Sequence, residues 1–458
     1  MTPLRVLTVC LALVLTACGA RAPDGPPPGA AGAFEGAWHG RLSIAGQALR
    51  LEIVLQTGAD GVEGRLISLD QGGAAVALTS LTIDGDEIAF AANPPGLSYE
   101  GVREGDVIKG TFRQSIVGAD LTLERGRFNN DAASGEAKPT RLGENETAVT
   151  IETGEVTLAG TLHRPQTARA GLVILSGSGS QDRDGTFGAI EIYAALADAL
   201  AEQGVASLRL DDRGVGESTG PAPDAPADLA ADAAAALQAL ADQAGVSCTG
   251  FAGHSEGGLI ALLAAPEADP DFIVSLAGMH MSMEETLLGQ AEALMRASGA
   301  GEAQIAANQR IQEAAFTVLR QAEPGEDVTE DMQAALMNAG AAEAVAAQQA
   351  RAFGQPYAVA SFQLDPAQAA AGYDGPVLGV FGEYDMQVLA GPQSGALTGA
   401  RSGLPTEIVV LEGVNHLFQQ TETGAASEYG SADHPLSEAA LTVIAERTAA
   451  LADQACGG

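Results

Sequence analysis

The chain has 458 residues, of which 59 are acidic and 23 are basic, so that its formal net charge is −36. A field of this sign repels phosphate backbones and anionic lipid headgroups, which argues against a nucleic-acid-binding protein. We expect the acidic surface to serve solubility rather than one specific cationic partner. The length is sufficient for two domains, one of them large.

The first 17 residues have the pattern of a processed signal. Arg5 supplies a positive charge, and the apolar run 6–15 is too short to span a bilayer as a mature helix. The sequence Leu-Thr-Ala-Cys at 15–18 resembles the bacterial lipobox, which implies acylation of Cys18. An ordinary secretory signal is the alternative. We therefore expect a lipid-anchored envelope protein, periplasmic or at the outer membrane, with a flexible linker over 18–33.

Residues 34–127 predict a small all-β domain. Hydrophobic residues occupy every second position in stretches such as 49–55, as in a half-buried strand. Turn-forming residues recur at short intervals, so that we expect about eight strands in a small antiparallel barrel or sandwich. We expect Trp38 to fill its core, and we find no catalytic cluster in this segment. Residues 128–147, polar and rich in turn formers, predict a linker.

Between residues 148 and 454 the sequence alternates between buried strands and helices. A hairpin with its turn at Gly154 comes first, and a helix over about 436–454 closes the pattern. The predicted strands that follow the hairpin are Leu172–Leu175, Val205–Leu210, Val246–Ala252, Phe272–Gly278, Pro376–Gly382 and Glu407–Glu412. This alternation predicts an α/β fold, a mostly parallel sheet with helices on both faces.

The stretch 281–370 interrupts this alternation. It is rich in Ala, Gln, Met and Glu, and its apolar residues recur at helical spacing. We expect a helical cap over the carboxyl ends of the strands, where ligands bind in such sheets.

The sequence Gly-His-Ser-Glu-Gly at 253–257 joins a predicted strand to a helix. The glycines two positions from the serine indicate a turn so tight that a Cβ there would strike the neighbouring strand or helix. The pattern alone is weak in a chain with 57 glycines, so the strand–turn–helix context carries the inference. Ser255 is therefore the candidate nucleophile, held above a helix N-terminus.

A serine hydroxyl needs a neutral imidazole to accept its proton and a carboxylate to orient that imidazole. Asp385 and His416 each follow a predicted strand, at the same end of the sheet as Ser255. His434, which we interpret as part of a helix start, is the rival base, and Glu383 is the rival acid. We prefer Asp385 and His416.

The Gly-rich loop at 176–180 follows the first predicted strand after the hairpin. It lacks the spacing of a phosphate-binding loop and of a dinucleotide-binding fingerprint. We expect it to lend a backbone N–H to an oxyanion hole, from Ser178 or alternatively from Gly179. The N–H of Glu256 would be the second donor.

The cysteines show no metal-ligand spacing, so that we expect no structural zinc site. They are Cys10, Cys18, Cys248 and Cys456. We expect Cys248 to be a small, free core residue, with a disulfide to Cys456 as the alternative.

Five stretches in one order carry a family resemblance: Leu175–Asp184, Asp212–Ser218, Gly253–Gly258, Gly382–Val388 and Asn415–Gln419. With them, residues 148–454 resemble an α/β-hydrolase of the EstD-type esterase group, related to the serine-aminopeptidase-like hydrolases. The resemblance implies an α/β-hydrolase fold, a Ser–Asp–His triad and hydrolysis of carboxylic esters without metal or cofactor. Ser180 stands where proline is commoner, which is a departure from the family pattern in the loop expected to bind the oxyanion.

Three functions follow as hypotheses. The preferred one is an esterase acting on a small-molecule ester. The second is a serine peptidase, in which Glu284 or Glu285 would bind the amine of the substrate. The third is a non-catalytic lipoprotein whose β domain binds an envelope component.

Overall fold

The computed structural model describes residues 33–44, 47–58, 61–68, 75–92, 97–114, 117–126, 142–425 and 428–457. The signal segment, Cys18 and most of the predicted linker at 128–147 lie outside these residues. The chain divides into two compact units. The first contains the β domain with the stretches Met295–Val318 and Thr329–Phe353, and the second contains the α/β sheet with the other helices.

The β domain is a nearly closed antiparallel barrel. Its strands in the described part of the chain are β1 (Gly36–Ile44), β2 (Gln47–Gly58), β3 (Gly61–Ser68), β4 (Ala75–Ala77), β5 (Ser80–Asp84), β6 (Glu87–Ala92), β7 (Leu97–Glu104), β8 (Val107–Gln114) and β9 (Val117–Arg125). Their order is β4-β3-β2-β1-β9-β8-β7-β6-β5, so that β1 and β9 join the two halves. The sheet agrees with the predicted small antiparallel domain.

The barrel core is closed around Trp38, whose side chain is fully buried. Its indole N–H donates to the carbonyl oxygen of Phe34 at 2.7 Å. The guanidinium of Arg125 lies 4.3 Å from the centre of the ring, a favourable cation–π arrangement. The prediction that Trp38 fills the core is therefore confirmed.

The second unit is organised around an eight-stranded sheet. Its strands are β10 (Glu146–Thr153), β11 (Val156–His163), β12 (Ala170–Leu175), β15 (Val205–Leu210), β16 (Thr249–His254), β17 (Phe272–Leu276), β18 (Val377–Gly382) and β19 (Thr406–Leu411); the short pair β13 (Thr186–Phe187) and β14 (Ile190–Glu191) lies apart. The order is β10-β11-β15-β12-β16-β17-β18-β19. The β10–β11 and β11–β15 pairs are antiparallel, and all later neighbours are parallel, as predicted.

The helices of the described chain are α1 (Ile192–Glu202), α2 (Pro226–Ala244), α3 (Glu256–Ala268), α4 (Met283–Ala297), α5 (Glu302–Gln321), α6 (Thr329–Asn338), α7 (Glu343–Phe353), α8 (Pro356–Phe362), α9 (Pro366–Ala371), α10 (Ala390–Ala400) and α11 (Glu438–Cys456). Helices α1 and α11 pack on one face of the sheet, and α2 and α3 pack on the other. The stretch 281–370 is helical, as its spacing predicted. Among the described helices, none combines the length and apolarity needed to cross a bilayer.

A buried glutamine on α10 fixes the point where the chain leaves the sheet for the helical stretch. The Gln393 side-chain oxygen accepts the backbone N–H groups of His280 at 2.6 Å and Met281 at 2.9 Å. The His280 ring, in turn, lies 2.8 Å from the hydroxyl of Ser275 on β17. Burial, helped by the positive charge of Arg401, lowers the pKa of His280 to about 3.

We expect the titration of His280 to appear in acid unfolding. Its folded pKa lies below the ordinary value, so the unfolded chain takes up one more proton as the pH falls from about 6.5 towards 3. The resulting stability is present above about pH 6.5 and is lost at about 1.4 kcal/mol per pH unit below it. In urea unfolding followed by circular dichroism at pH 7, 6, 5 and 4, His280→Gln should show a slope shallower by about one proton. Equal slopes would contradict the neutral buried ring.

A disulfide joins Cys248, just before β16, to Cys456 at the end of α11, across 208 residues of sequence. The expectation of a free core thiol at Cys248 is therefore wrong, and the alternative pairing is correct. Helix α11 packs against the sheet with its last turn beside the entry to β16, where the two Cα atoms are 5.9 Å apart. Such a Cα separation is within the range that disulfides require.

Removing this bridge is expected to lower the free energy of unfolding of the second unit by about 2–5 kcal/mol, because a long loop of the unfolded chain is released. The test is the double variant Cys248→Ser with Cys456→Ser, followed by circular dichroism at 222 nm, which reports mainly helices. Fluorescence of Trp38, the only tryptophan, follows the barrel as an internal control. If the double variant and the native protein treated with reductant both unfold like the untreated native protein, as measured by circular dichroism, the expectation is wrong.

Candidate active site

The turn after β16 has the geometry that the glycine spacing predicted. Ser255 has φ 55° and ψ −118°, a strained backbone conformation for a residue with a side chain. A Cβ on Gly253 would lie 2.1 Å from the carbonyl oxygen of Gly257, and one on Gly257 would lie 2.5 Å from that of Leu175. Only glycine fits at either position, so Ser255 projects from the tip of a tight strand-to-helix turn.

The parallel register brings three sequence-distant loops to one edge of the sheet. Strands β16, β17, β18 and β19 are consecutive neighbours and end side by side. Adjacent strands are about 4.8 Å apart, so β16 and β18 are separated by roughly 10 Å. Ser255 follows β16 directly, while Asp385 and His416 lie in the loops after β18 and β19.

Asp385 and His416 form a buried hydrogen-bonded pair. The Nδ1–H of His416 donates to Oδ2 of Asp385 at 2.8 Å, and both residues are less than 5% exposed. The other carboxylate oxygen accepts the backbone N–H groups of Gln387 and Val388, each at 2.8 Å. The carboxylate is therefore fixed on both sides and holds the imidazole in the tautomer whose Nε2 can accept a proton.

The rival acid Glu383 and the rival base His434 form hydrogen bonds with other parts of the chain. A carboxylate oxygen of Glu383 accepts the backbone N–H of Gly413 at 3.1 Å. The Nδ1 of His434 lies 3.1 Å from the carbonyl oxygen of Gln420, in an exposed position. Both residues stabilise loop backbone.

His416 lies in a tight turn that the side chain of Asn415 stabilises. The side-chain oxygen of Asn415 accepts the backbone N–H groups of Leu417 at 3.0 Å and Gln419 at 3.1 Å. Phe418 has φ 54° within the same turn. These bonds close the loop on itself, so that the imidazole is carried by ordered backbone.

The two residues predicted to donate to an oxyanion lie beside each other. The amide of Gly177 already donates to the Tyr193 hydroxyl at 3.0 Å, so it is not available as an oxyanion donor, and the predicted donor remains the next amide in the Gly-rich loop, that of Ser178. The hydroxyl of Ser178 is also a hydrogen-bond partner of the Glu256 carboxylate, whose own backbone starts α3. The alternative donor, Gly179, has φ 98°.

The Glu256 side chain is buried, and the hydroxyl of Tyr357 on α8 donates to it at 2.9 Å. Burial raises the pKa of this carboxyl, and the two hydroxyl donors partly offset that rise. Helix α8 is thereby attached directly to the turn that carries Ser255. This contact was missed in the sequence, since nothing local to Tyr357 points to it.

Two consecutive aspartates support the Gly-rich loop from the end of the neighbouring strand β15. Asp211 pairs with the buried guanidinium of Arg183 at 2.6 Å. Asp212 accepts the Ser176 hydroxyl at 2.6 Å and the Gln181 N–H at 2.8 Å. Burial raises the pKa of Asp212 to about 7 despite these donors. Both aspartates therefore hold the loop in place through hydrogen bonds to its residues and to those that follow it.

A comparison with known protein families gives a match over the segment that contains Ser255. Residues 184–348 match the family model described as serine aminopeptidase, S33. The matched stretch contains β15 to β17 and the turn with Ser255, and the sheet around it has the order and mostly parallel register given above. The second unit has the α/β-hydrolase fold. The family match also supports a hydrolase.

Several solved structures of hydrolases and esterases are similar to the chain at low identity. Dienelactone hydrolase from Anabaena variabilis is 18% identical, with 67% of this chain and 95% of that chain covered and a TM-score of 0.37. Est1E from Butyrivibrio proteoclasticus is 18% identical, with coverages of 68% and 99% and a TM-score of 0.39. An esterase from Pyrococcus furiosus is 15% identical, with coverages of 59% and 83% and a TM-score of 0.39. No curated protein sequence matches the chain significantly.

Proposed function

We propose that this α/β-hydrolase is a serine hydrolase that cleaves carboxylic esters, with Ser255 as nucleophile, His416 as base and Asp385 as orienting acid. The observation that carries the proposal is the buried Asp385–His416 pair at 2.8 Å, on the sheet edge where the strained turn exposes Ser255. A serine on such a turn, with a hydrogen-bonded carboxylate and imidazole at the same edge of the sheet, supports a hydroxyl activated by an imidazole base.

In the acylation step the Ser255 oxygen attacks the acyl carbon as its proton passes to Nε2 of His416. The carbonyl oxygen becomes an oxyanion, which the backbone N–H groups of Ser178 and Glu256 stabilise. When the C–O bond to the leaving group breaks, the imidazolium returns its proton to the departing alcohol. Asp385 remains ionised and stabilises the imidazolium.

In the deacylation step a water molecule takes the place of the alcohol. His416 accepts one proton from the water, and the resulting hydroxyl attacks the acyl carbon. The bond to Ser255 then breaks, the acid leaves, and the proton returns to the serine oxygen. The cycle consumes one water per ester, and none of its steps calls for a metal or cofactor.

A substrate panel tests this proposal against its closest alternative. Purified protein without residues 1–17 is assayed with p-nitrophenyl esters of increasing acyl length and with aminoacyl p-nitroanilides. We expect ester hydrolysis to exceed anilide hydrolysis in kcat/KM. Faster cleavage of the aminoacyl anilides would instead support the peptidase that the description of the matched family suggests.

The two residues that the peptidase hypothesis requires for binding a substrate amine already have partners within the chain. Glu284 forms an ion pair with Arg320 at 2.7 Å. A carboxylate oxygen of Glu285 accepts the Ser282 hydroxyl at 2.6 Å at the start of α4. Both carboxylates thus have partners within the chain, and binding of a substrate amine would have to displace them.

We also propose that the protein is anchored to the cell envelope through an acylated Cys18, on the strength of the lipobox resemblance alone. The full chain and a Cys18→Ser variant are expressed in a bacterial host, and the membrane and soluble fractions are separated. The native chain should remain with membranes, whereas the variant should not. Recovery of both in the soluble fraction would overturn the anchor.

A further inference from the structure

A second histidine lies behind Ser255 and contacts the loop of His416. His254 is the last residue of β16 and is 2% exposed. Its Nε2 lies 2.9 Å from the backbone carbonyl oxygen of His416, and the two rings are 4.7 Å apart between centroids. A carbonyl oxygen can only accept, so the Nε2 of His254 carries the proton and donates it in this bond.

The opposite side of the same ring faces the oxyanion loop. The Nδ1 of His254 lies 3.3 Å from the hydroxyl of Tyr193 on α1. That hydroxyl accepts the N–H of Gly177 at 3.0 Å and donates to the side-chain oxygen of Gln181 at 2.8 Å. Its one proton is thus used, and its contact with the unprotonated Nδ1 of His254 is a packing contact rather than a hydrogen bond. The Tyr193 hydroxyl therefore connects His254 to the loop in which Ser178 follows Gly177.

The packing around this connection is tight. A Cβ on Gly177 would lie 3.2 Å from the Cβ of Ser255 and 3.4 Å from Nδ1 of His254. The Gly-rich loop thus rests directly on the turn with the nucleophile. A displacement of His254 would be transmitted to both loops at once.

We propose that His254 is a positioning residue. Its Nε2–H bond to the His416 backbone and its contact with Tyr193 hold the base and the oxyanion donors in fixed positions around Ser255. The inference rests on the esterase proposal and deepens it. His254 touches no reacting atom, and its effect passes through the backbone of His416 and through Gly177.

The environment keeps this ring uncharged during catalysis. Burial, with a further contribution from the charge that His416 can carry, lowers the pKa of His254 to about 3. The groups that face the ring are the Tyr193 hydroxyl, the His416 ring and backbone, and Phe418 at 6.3 Å between ring centroids. A neutral His254 does not repel the imidazolium that forms on His416 in each step.

The test compares His254→Gln, which keeps a side-chain N–H near the position of Nε2, with His254→Leu, which removes it. We expect His254→Leu to lower kcat for a p-nitrophenyl ester by roughly 10- to 100-fold with KM changed less than about threefold, because small misplacements of reacting groups are costly. His254→Gln should recover most of the lost kcat. His280→Gln, at the other buried histidine with a low pKa, is the matched control and should keep kcat.

Tyr193→Phe keeps the ring and removes only the hydroxyl, so it supplies a second readout should His254→Leu fail to fold. It should lower kcat by about 3- to 30-fold with KM preserved. Native kcat in Tyr193→Phe and His254→Leu, or equal losses in the Leu and Gln variants at position 254, would overturn the positioning role. Failure of the esterase proposal itself would give a different result. Ser255→Ala would then retain turnover, whatever the kcat values of the His254 variants.

Discussion

Replacing Ser255 with alanine should reduce kcat/KM for p-nitrophenyl esters by about 10³-fold or more. Without the hydroxyl no acyl-enzyme can form, and only the binding and oxyanion contributions to catalysis remain. The effect should fall on kcat, because removing one hydroxyl would leave the surrounding backbone and the buried Asp385–His416 pair unchanged. Steady-state kinetics, with circular dichroism to verify folding, is the measurement.

The chain offers a matched control for this substitution. Ser275 is hydrogen-bonded to a buried histidine, with 2.8 Å between its hydroxyl and Nε2 of His280. The Ser275 side chain is fully buried on β17 and cannot meet a substrate. Ser275→Ala should therefore retain activity within a few fold. If Ser275→Ala is inactive while Ser255→Ala turns over normally, the nucleophile has been assigned to the wrong serine.

The substitution Asp385→Asn should lower kcat by about 10⁴-fold. An amide at this position can present its N–H₂ group to Nδ1 of His416, which favours the tautomer that cannot accept the serine proton. The two backbone donors at Gln387 and Val388 would still hold one side of the side chain, so the fold should survive. The comparison of kcat between Asp385→Asn and the native protein at one pH measures the effect.

Glu383→Gln is the control for the acid, because Glu383 is the rival carboxylate two residues away in the same loop. Its contact is with the backbone N–H of Gly413 at 3.1 Å. We expect kcat to change less than about threefold. A larger loss in Glu383→Gln than in Asp385→Asn would reverse the assignment of the orienting acid.

The sequence predicts the architecture and suggests the candidate residues because the relevant signals are local. Strands of the parallel sheet read as short apolar runs, and each candidate lies just past the end of one. The glycines at 253 and 257 indicated the tight turn through steric exclusion alone, and the observed close approaches to Gly257 and Leu175 bear this out. The topology of a parallel sheet then brings distant loops to one edge.

The remaining features depend on packing between distant segments, which no local pattern encodes. The disulfide requires the end of α11 to meet the start of β16, across 208 residues. The ring of His254 contacts the backbone of His416, 162 residues further along the chain. One partner of the Glu256 carboxylate is Tyr357, 101 residues along the chain. Such contacts follow from the packing of whole elements against one another.

The most direct test of the account is to identify the residue that a fluorophosphonate modifies. Protein lacking residues 1–17 is labelled, its intact mass is measured, and the modified peptide is sequenced by mass spectrometry. We predict one adduct per chain, on Ser255, with labelling strongly slowed in His416→Ala and unchanged in Ser275→Ala. An adduct on another residue, or ester hydrolysis at full rate by protein that takes up no label, would contradict the serine mechanism.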